Sequence, residues 1–454
     1  MPLEVLVIGG GIVGAGMARD AAMRGLRVGL VEQRDFASGT SSRSSRLLHG
    51  GLRYLAQGRI ALVREASVEK KIISRIAPHL AEPLPFLFPA YRGNKTWGLR
   101  RLQIGVKAYD LLCGGRNLGK STWLNRAETL QRVPDLSADG LTGAIRYYDG
   151  FTNDARLVLD TLRSAAKHGA ILLNYCKFED ADFHSGRWHC RICDGAGQAP
   201  GPSIVQARAV VNACGPWAGG LPHGRVKLRL TKGIHLVVNR SRLAVPEAVV
   251  MTEGKRILFV IPWGERIILG TTDTDYDGPL DHVRADGPEI RYILEITNRH
   301  FPKAKLGVCD VISSWAGLRP LIAGPDGNPS EISRRHEIRN PEPGWWDVAG
   351  GKLTSYRLMA EQALDQIIKS LNPARDSDRK IAPCRTADEP LLPRTETEGV
   401  SGILPPQSSR DTVNHHCANE WALHLDDVMV RRTGWHYYFA DAAERAGPVA
   451  DWMG

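Results

Sequence analysis

The stretch LEVLVIGGGIVGAGMARDAAMRGLRVGLVE, residues 3–32, decides the fold. Residues 3–8 are a short apolar run that meets three glycines. Ile12 to Arg24 then carries helical spacing, and residues 27–32 form a second apolar run. Strand, glycine turn, helix and strand in that order predict a βαβ unit at the start of the chain. Inside it stands Gly9-x-Gly11-x-x-Gly14. The first glycine permits the tight turn, the second lets backbone N–H groups reach a pyrophosphate, and the third lets helix and strand pack closely. Ile12 opens the helix. Glu32 ends the second strand, where a carboxylate accepts hydrogen bonds from a ribose. With strand, helix and acid in register, the unit predicts dinucleotide binding.

Outward from this unit, the composition describes an ordinary soluble chain. It has 454 residues, 43% of them hydrophobic and 24% charged, and a formal net charge of +10. That balance excludes collagen-like, disulfide-scaffold and wholly disordered chains. The basic excess suits an anionic partner such as a phosphorylated substrate, a nucleic acid or a lipid surface. The first residues lack the basic region of a secretory signal, and no run approaches 18 apolar residues. The eight cysteines follow no framework spacing and read as reduced thiols of a cytosolic protein. Cys190 and Cys193 lie three apart on an alternating stretch, hence on opposite faces of a strand, and no metal site is expected.

Further along, RLVLDTLRSAAKHG (156–169) reads as a helix leading into the strand AILLNY (170–175), and 186–280 is rich in strands. Prolines among charges and serines mark 373–411 as a linker, and the residues after Asp411, a candidate N-cap, look helical. After Glu32 comes RDFASGTSSRSSRLLHGGLRYL (34–55) in place of a regular βα unit. Its hydroxyls and amides, with Thr40, Ser41, Ser42, His49, Gly50 and Gly51 among them, would line an extended FAD. A solvated Ser-rich loop explains its composition equally well.

Several further motifs are specific in combination: TSSRSSRLLHGGLRYL (40–55), APHLAEPLPFLFP (77–89), VVNACGPWA (210–218), TKGIHLVV (231–238), ILGTTDTDY (268–276), WAGLRPL (315–321) and VAGGKLTSYRLMAE (348–361). Through them the chain resembles the FAD-dependent glycerol-3-phosphate dehydrogenases of the glycine/D-amino-acid oxidase superfamily. The resemblance implies an α/β, Rossmann-like FAD-binding domain built from 1–75, 145–222 and 320–372. It also implies a β-rich α+β substrate-binding and membrane-facing domain from 76–144 and 223–319. A small helical domain at 412–454 completes the arrangement, with the last helices expected to be missing or degenerate. FAD would be held non-covalently, with Gly215, Gly350, Gly351, Lys352, Leu353 and Thr354 added to the cofactor residues. The helix expected from Leu353 would point its positive N-terminus at the flavin pyrimidine.

The implied reaction oxidises sn-glycerol 3-phosphate to dihydroxyacetone phosphate, with hydride moving from substrate C2 to flavin N5 and electrons passing to a quinone. Arg53, Arg319, Arg334 and Lys352 stand at the family's phosphate and carbinol positions, and Arg335 competes with Arg334. Several fixed donors suit a phosphate dianion. His49 and His235 are the candidates for the base, with His49 placed first, and Arg319 joins them at the reacting centre. Tyr54, Thr272 and Asp273 are expected along the pocket. An oxidase using O₂, or a related hydroxy-acid dehydrogenase, is the alternative within the superfamily, and an RNA-associated flavoprotein the alternative from another class. No aromatic-interleaved RNA module accompanies the basic residues, so no nucleic acid is expected. Residues 91–126 hold eight Lys or Arg against Asp110. Within them Trp97, Leu99, Leu102, Val106, Tyr109 and Cys113 form a stripe beside Lys95, Arg100, Arg101 and Lys107. That pattern is expected to lie in an anionic membrane interface, placing the protein peripherally on the inner face of the plasma membrane. A homodimer is left open.

Overall fold

The computed structural model describes residues 2–50, 60–94, 96–113, 118–195, 201–323, 336–371 and 381–454. The expected βαβ unit is present as β1 (Leu3–Ile8), α1 (Ile12–Met23) and β2 (Val28–Val31). The two strands belong to a mixed sheet whose parallel core is drawn from four regions of the chain. Its order is Trp345–Gly350, Ser203–Asn212, β1, β2 and Ile171–Leu173. The register sets Val5 against Ala209 and Val28, and Val210 against Trp345. Parallel neighbours need crossovers and must be covered on their faces, which is why the strands read as continuous apolar runs. One face is buried under α1 and the helices Asp154–Lys167 and Tyr356–Leu371. The hairpin Cys176–His184 and Arg187–Asp194 brings Phe178 and Trp188 against Leu6, Val210 and Trp345 on the other.

A second, ten-stranded sheet is mostly antiparallel. Its centre runs Leu228–Asn239, Arg266–Gly270, Arg256–Trp263, Ala248–Glu253, Glu82–Tyr91 and Leu141–Phe151, and Val311–Ile322 pairs along Leu228–Asn239. The fold is thus the expected α/β, Rossmann-like class, with a β-rich second layer and helices at the C-terminal end.

Three details differ from expectation. The helix after Asp411 starts earlier: Ser409 is its N-cap, its Oγ accepting from Thr412 N at 3.3 Å, and Asp411 sits in the first turn. The α-helix expected from Leu353 begins at Tyr356, because Leu353–Ser355 form a 3₁₀ turn. The segment 381–409, expected as a linker, carries a single 3₁₀ turn among its described elements and is packed down. Its Leu391 and Leu392 enter the main core, and the carbonyls of Thr386 and Glu389 accept from Arg19.

The largest correction concerns the stripe of residues 97–113. The helix Leu99–Cys113 forms, but Trp97, Leu102 and Val106 are buried against Phe86, Phe88 and Ile145 of the second sheet. Lys95 and the side chains of Tyr109 and Cys113 lie outside the described residues. Apolar spacing of three and four marks a buried face, and the same spacing serves lipid or core. Here the sheet takes it, and the outward face holds Arg100, Arg101, Lys107 and an Ile104 that is 70% exposed. Leu102→Ala should therefore lower unfolding free energy by about 2–5 kcal/mol, as for buried leucines generally. Ile104→Asp should stay within about 0.5 kcal/mol of the parent. Urea denaturation of the two variants checks this; an unaffected Leu102→Ala midpoint would put the stripe back on the surface.

Candidate functional site

A cavity of about 480 Å³ opens at the carboxyl ends of the parallel strands, where Ile8, Val31, Ala213 and Val348 line it. Such an end, beside a helix N-terminus, is where open α/β sheets take dinucleotides. Gly9 has φ +110°, and a Cβ on Gly14 would stand 1.9 Å from the Gly9 carbonyl oxygen. The bare Gly14 lets α1 start this close to β1, while a Cβ on Gly9 would meet the Ala213 carbonyl oxygen at 2.7 Å. Ser41 Oγ accepts from the Ile12 amide at 3.0 Å, marking the donor that a pyrophosphate oxygen would meet at the start of the helix.

Glu32 is held from both sides: Oε2 accepts from Gly10 N at 2.7 Å and Oε1 from Arg34 N at 2.9 Å. Burial pushes its carboxyl up, and these two amides oppose the shift. Each carboxylate oxygen keeps acceptor capacity beyond one bond, which suits a ribose diol. At the far end, Gly350 and Gly351 take φ +74° and +79° in succession, and Lys352 and Leu353 complete the wall. Gly11, Thr40 and Gly215 also line the cavity. A cleft with a diol acceptor at one end, the N-terminus of α1 in the middle and a glycine turn at the other fits an extended FAD. Ser42 is buried behind the wall. Thr354 ties two wall segments together, its Oγ1 accepting from His49 N at 3.1 Å and donating to the His49 carbonyl at 3.4 Å. The next amide, Gly50 N, points at Asp149 Oδ1 at 3.4 Å. Gly51, Arg53, Tyr54, Arg334 and Arg335 lie outside the described residues.

The second sheet presents one face to this region. Thr40 Oγ1 donates to the Leu318 carbonyl at 2.7 Å, and Pro320 lines the cavity, so Arg319 sits at the join. Cross-strand pairing places Arg319 opposite Thr231, Gly317 opposite Gly233 and Trp315 opposite His235. Alternate residues share a face, so Arg319 and His235 stand on the same side with a glycine pair between them. The glycines leave room: a Cβ on Gly233 would stand 2.3 Å from Arg319 Nη2. The guanidinium is aimed by Asp273 Oδ1 at 3.0 Å, Thr271 Oγ1 at 3.1 Å and the Thr272 carbonyl at 3.2 Å. Asp273 thus acts on Arg319. The Thr272 hydroxyl, expected along the pocket, is taken up inside the sheet, accepting from Ile234 N at 3.0 Å and facing Glu289 at 3.4 Å.

His235 is buried, stacked on Trp315 with ring centroids 5.2 Å apart, and its Nε2 lies 2.8 Å from Ser45 Oγ. Burial, then the charges of Arg319 and Arg46, push its pKa down to about 3. The imidazole is therefore neutral near pH 7, and the same surroundings make it a weak base.

Sequence reasoning missed Ser45 and Arg46, although both lie in the quoted Ser/Arg run. Arg46 is 3% exposed, its guanidinium carbon 4.2 Å over the Trp263 ring and 5.3 Å from that of Trp315. Burial lowers its pKa, with Asp154 opposing. A charge in a polar run reads as solvated, and nothing local announces two tryptophans from distant strands. Trp217 and Phe178 also line the cavity; the first stood inside a quoted motif without a role. Among the described residues, His415, His416 and Glu420 approach one another as metal ligands would. The Glu420 oxygens, however, receive Arg156 at 2.6 and 2.8 Å and Arg163 at 3.1 Å, so the carboxylate serves an ion network.

A family model described as FAD dependent oxidoreductase matches residues 4–355. The chain is 40% identical to a glycerol-3-phosphate dehydrogenase of Mycobacterium leprae, over 86% of this chain and 66% of that protein. It is 39% identical to an aerobic glycerol-3-phosphate dehydrogenase of Bacillus subtilis, over 86% and 70%. An alpha-glycerophosphate oxidase of Streptococcus pyogenes is 37% identical, over 81% and 71%. The chain thus spans about two thirds of the length of these curated relatives. Among solved structures, the glycerol-3-phosphate dehydrogenase of Bacillus halodurans complexed with FAD superposes with a TM-score of 0.78 at 31% identity, covering 100% of this chain and 90% of that one.

The buried His235 has a measurable consequence. In the unfolded chain an imidazole takes a proton below about pH 6.5. In the folded protein His235 takes none until about pH 3. The unfolded state binds more protons across that window, so stability falls as the pH is lowered through it. His235→Gln should remove about one proton from the slope of unfolding free energy between pH 4 and 6. Urea titrations at several pH values measure that slope; an unchanged slope would mean that His235 titrates normally.

Proposed function

Because the chain belongs to the FAD-dependent oxidoreductases and, within them, to the glycerol-3-phosphate dehydrogenases, we propose that it oxidises sn-glycerol 3-phosphate to dihydroxyacetone phosphate. The observation that carries this reading is the placement of Arg319 and His235 on one sheet face, separated by a glycine pair, at the join with the cofactor cavity. Bound FAD would supply the two-electron acceptor, taking hydride from substrate C2 at flavin N5.

The residues divide the remaining tasks. Arg319, whose two terminal nitrogens are held by Asp273, Thr271 and Thr272, brings a fixed positive charge to the phosphate. Lys352 contributes from the cavity wall, and Arg53, Tyr54 and Arg334 complete the substrate set by resemblance. The hydroxyl proton needs an acceptor as hydride leaves, and His49 and His235 are the two candidates. His235 stands on the Arg319 face of the sheet with Ser45 Oγ at its Nε2, but burial and the neighbouring arginines make it a weak proton acceptor. His49 suits the task by position, since its backbone is bound to Thr354 at the cavity wall.

The electrons leave to a quinone in this reading, with O₂ as the competing acceptor; the relatives carry both dehydrogenase and oxidase names. Among the described residues no helix is long and apolar enough to cross a membrane. Attachment to the inner face of the plasma membrane would therefore be peripheral. With the stripe buried, it would rest on the outward face of Leu99–Cys113, where Arg100, Arg101 and Lys107 flank Ile104 and meet anionic headgroups.

Anaerobic addition of glycerol 3-phosphate should bleach the flavin, and reoxidation by a soluble quinone should outpace that by O₂. Arg319→Ala should lose about 1.5–3 kcal/mol of substrate binding, an increase in KM of roughly 10- to 150-fold, with flavin content retained. A flavin that glycerol 3-phosphate leaves oxidised overturns the substrate assignment, and faster reoxidation by O₂ overturns the quinone.

A further inference from the structure

The wall between Glu32 and Ser41 has an inner and an outer side. Glu32, Ser38, Thr40 and Ser41 line the cavity. Asp35 and Phe36, between them, are 1% and 0% exposed and do not line it. Phe36 lies under the glycine turn, where a Cβ on Gly10 would stand 2.6 Å from its Cδ1, and its ring meets Trp421 edge-on at 5.4 Å. Asp35 is held by two consecutive arginines from the far end of the chain. Arg432 Nη1 donates to Oδ2 at 2.5 Å and Nη2 to Oδ1 at 2.8 Å, while Arg431 Nε donates to Oδ2 as well. The arginines are themselves fixed: Arg432 donates to the Glu420 carbonyl at 2.7 Å, and Arg431 to Asp426 at 2.8 Å and to Asp427. Asn174 bonds both Asp35 Oδ1 at 3.2 Å and the Trp421 carbonyl at 2.8 Å, and Tyr175 donates to Asp427 at 2.6 Å.

We propose that Asp35 is a positioning residue of the cofactor site, through which the C-terminal segment 410–454 sets the loop that receives the ribose end of FAD. The geometry supports this in two ways. Asp35 lies three residues beyond Glu32, on a loop whose other face forms the cavity wall, so a tilt of the loop moves that wall. A carboxylate shared by two buried guanidiniums also has one low-energy position, because withdrawing it would leave buried charges unpaired. Coupling between two sites is reciprocal. If the docked C-terminal segment holds the loop for FAD, then bound FAD must hold the C-terminal segment by the same factor. A pair that only stabilised the fold would shift holoprotein and apoprotein alike.

The test titrates apoprotein with FAD, following flavin fluorescence, and measures hydrogen exchange of residues 410–454 with and without FAD. In the parent protein, FAD should slow exchange in that segment at least tenfold. Asp35→Asn should weaken FAD binding by roughly ten- to hundredfold and should lower the melting temperature of the holoprotein more than that of the apoprotein. Tyr175→Phe keeps every charge and removes only the hydroxyl that orients Asp427. It should weaken FAD binding a few-fold and serves where Asp35→Asn fails to fold. Glu398→Gln, which breaks the exposed pair with Arg394, is the control and should leave FAD affinity unchanged. Unchanged FAD affinity in Asp35→Asn or Tyr175→Phe, equal falls in both melting temperatures, or exchange indifferent to FAD would each overturn the proposal. None of these readings uses a substrate, so they stand apart from the reaction assigned above.

Discussion

The contact between α1 and β1 is the constraint from which the rest of the molecule is built. The Gly9 carbonyl occupies the place where any side chain on Gly14 would begin. With Gly14 bare, the helix starts directly over the strand end, and its first residues line the cavity. α1 then forms a floor with the helices Asp154–Lys167 and Tyr356–Leu371, and the sheet can order its parallel strands above them. The cavity is thus a by-product of close packing, placed where four strands end together.

Around that cavity the chain gathers cations and keeps a histidine neutral. Burial comes first in keeping His235 neutral, and the charges of Arg319 and Arg46 act in the same direction. The same charges that discourage a proton on the imidazole would favour an anion in the space between. Glycines at 233, 317 and 270 keep the sheet face clear: Arg319 lies across the first, the Arg43 backbone approaches the second, and the His235 ring covers the third. The polar groups are therefore seated on bare backbone, and there is no side-chain bulk to push them out of line.

What could be read in the sequence was what is encoded locally. The glycine fingerprint, Glu32, and the Gly350-Gly351 turn each announce themselves within a few residues, and the cavity is lined by residues from all three. Features that depend on distant partners were not legible. The stripe at Leu102 and Val106 has the same spacing whether a sheet or a lipid covers it. Thr272 looked like a pocket hydroxyl until Ile234 and Glu289 claimed it. The strand Glu82–Tyr91 hides behind prolines at 83, 85 and 89, which argue against a strand in any local reading. All three sit at alternate positions, so their missing donors fall along one edge while the other can pair with Leu141–Phe151. Asp35, Arg431 and Arg432 drew no reading from the sequence, because nothing near any of them names the others.

The union of Asp35 with Arg432 spans 397 residues of chain. Synthesis at about 5–20 residues per second separates the two by roughly 20 to 80 s on the ribosome. β1 also waits, since its neighbours Ser203–Asn212 and, beyond them, Trp345–Gly350 emerge late. Throughout that interval the nascent chain carries a finished fingerprint beside an apolar strand edge with no partner, the condition that invites wrong pairing. Non-local pairing of this kind slows folding, because loops must close before the contacts reward it. That edge stays open from the completion of β1 until Ser203–Asn212 arrives to pair with it.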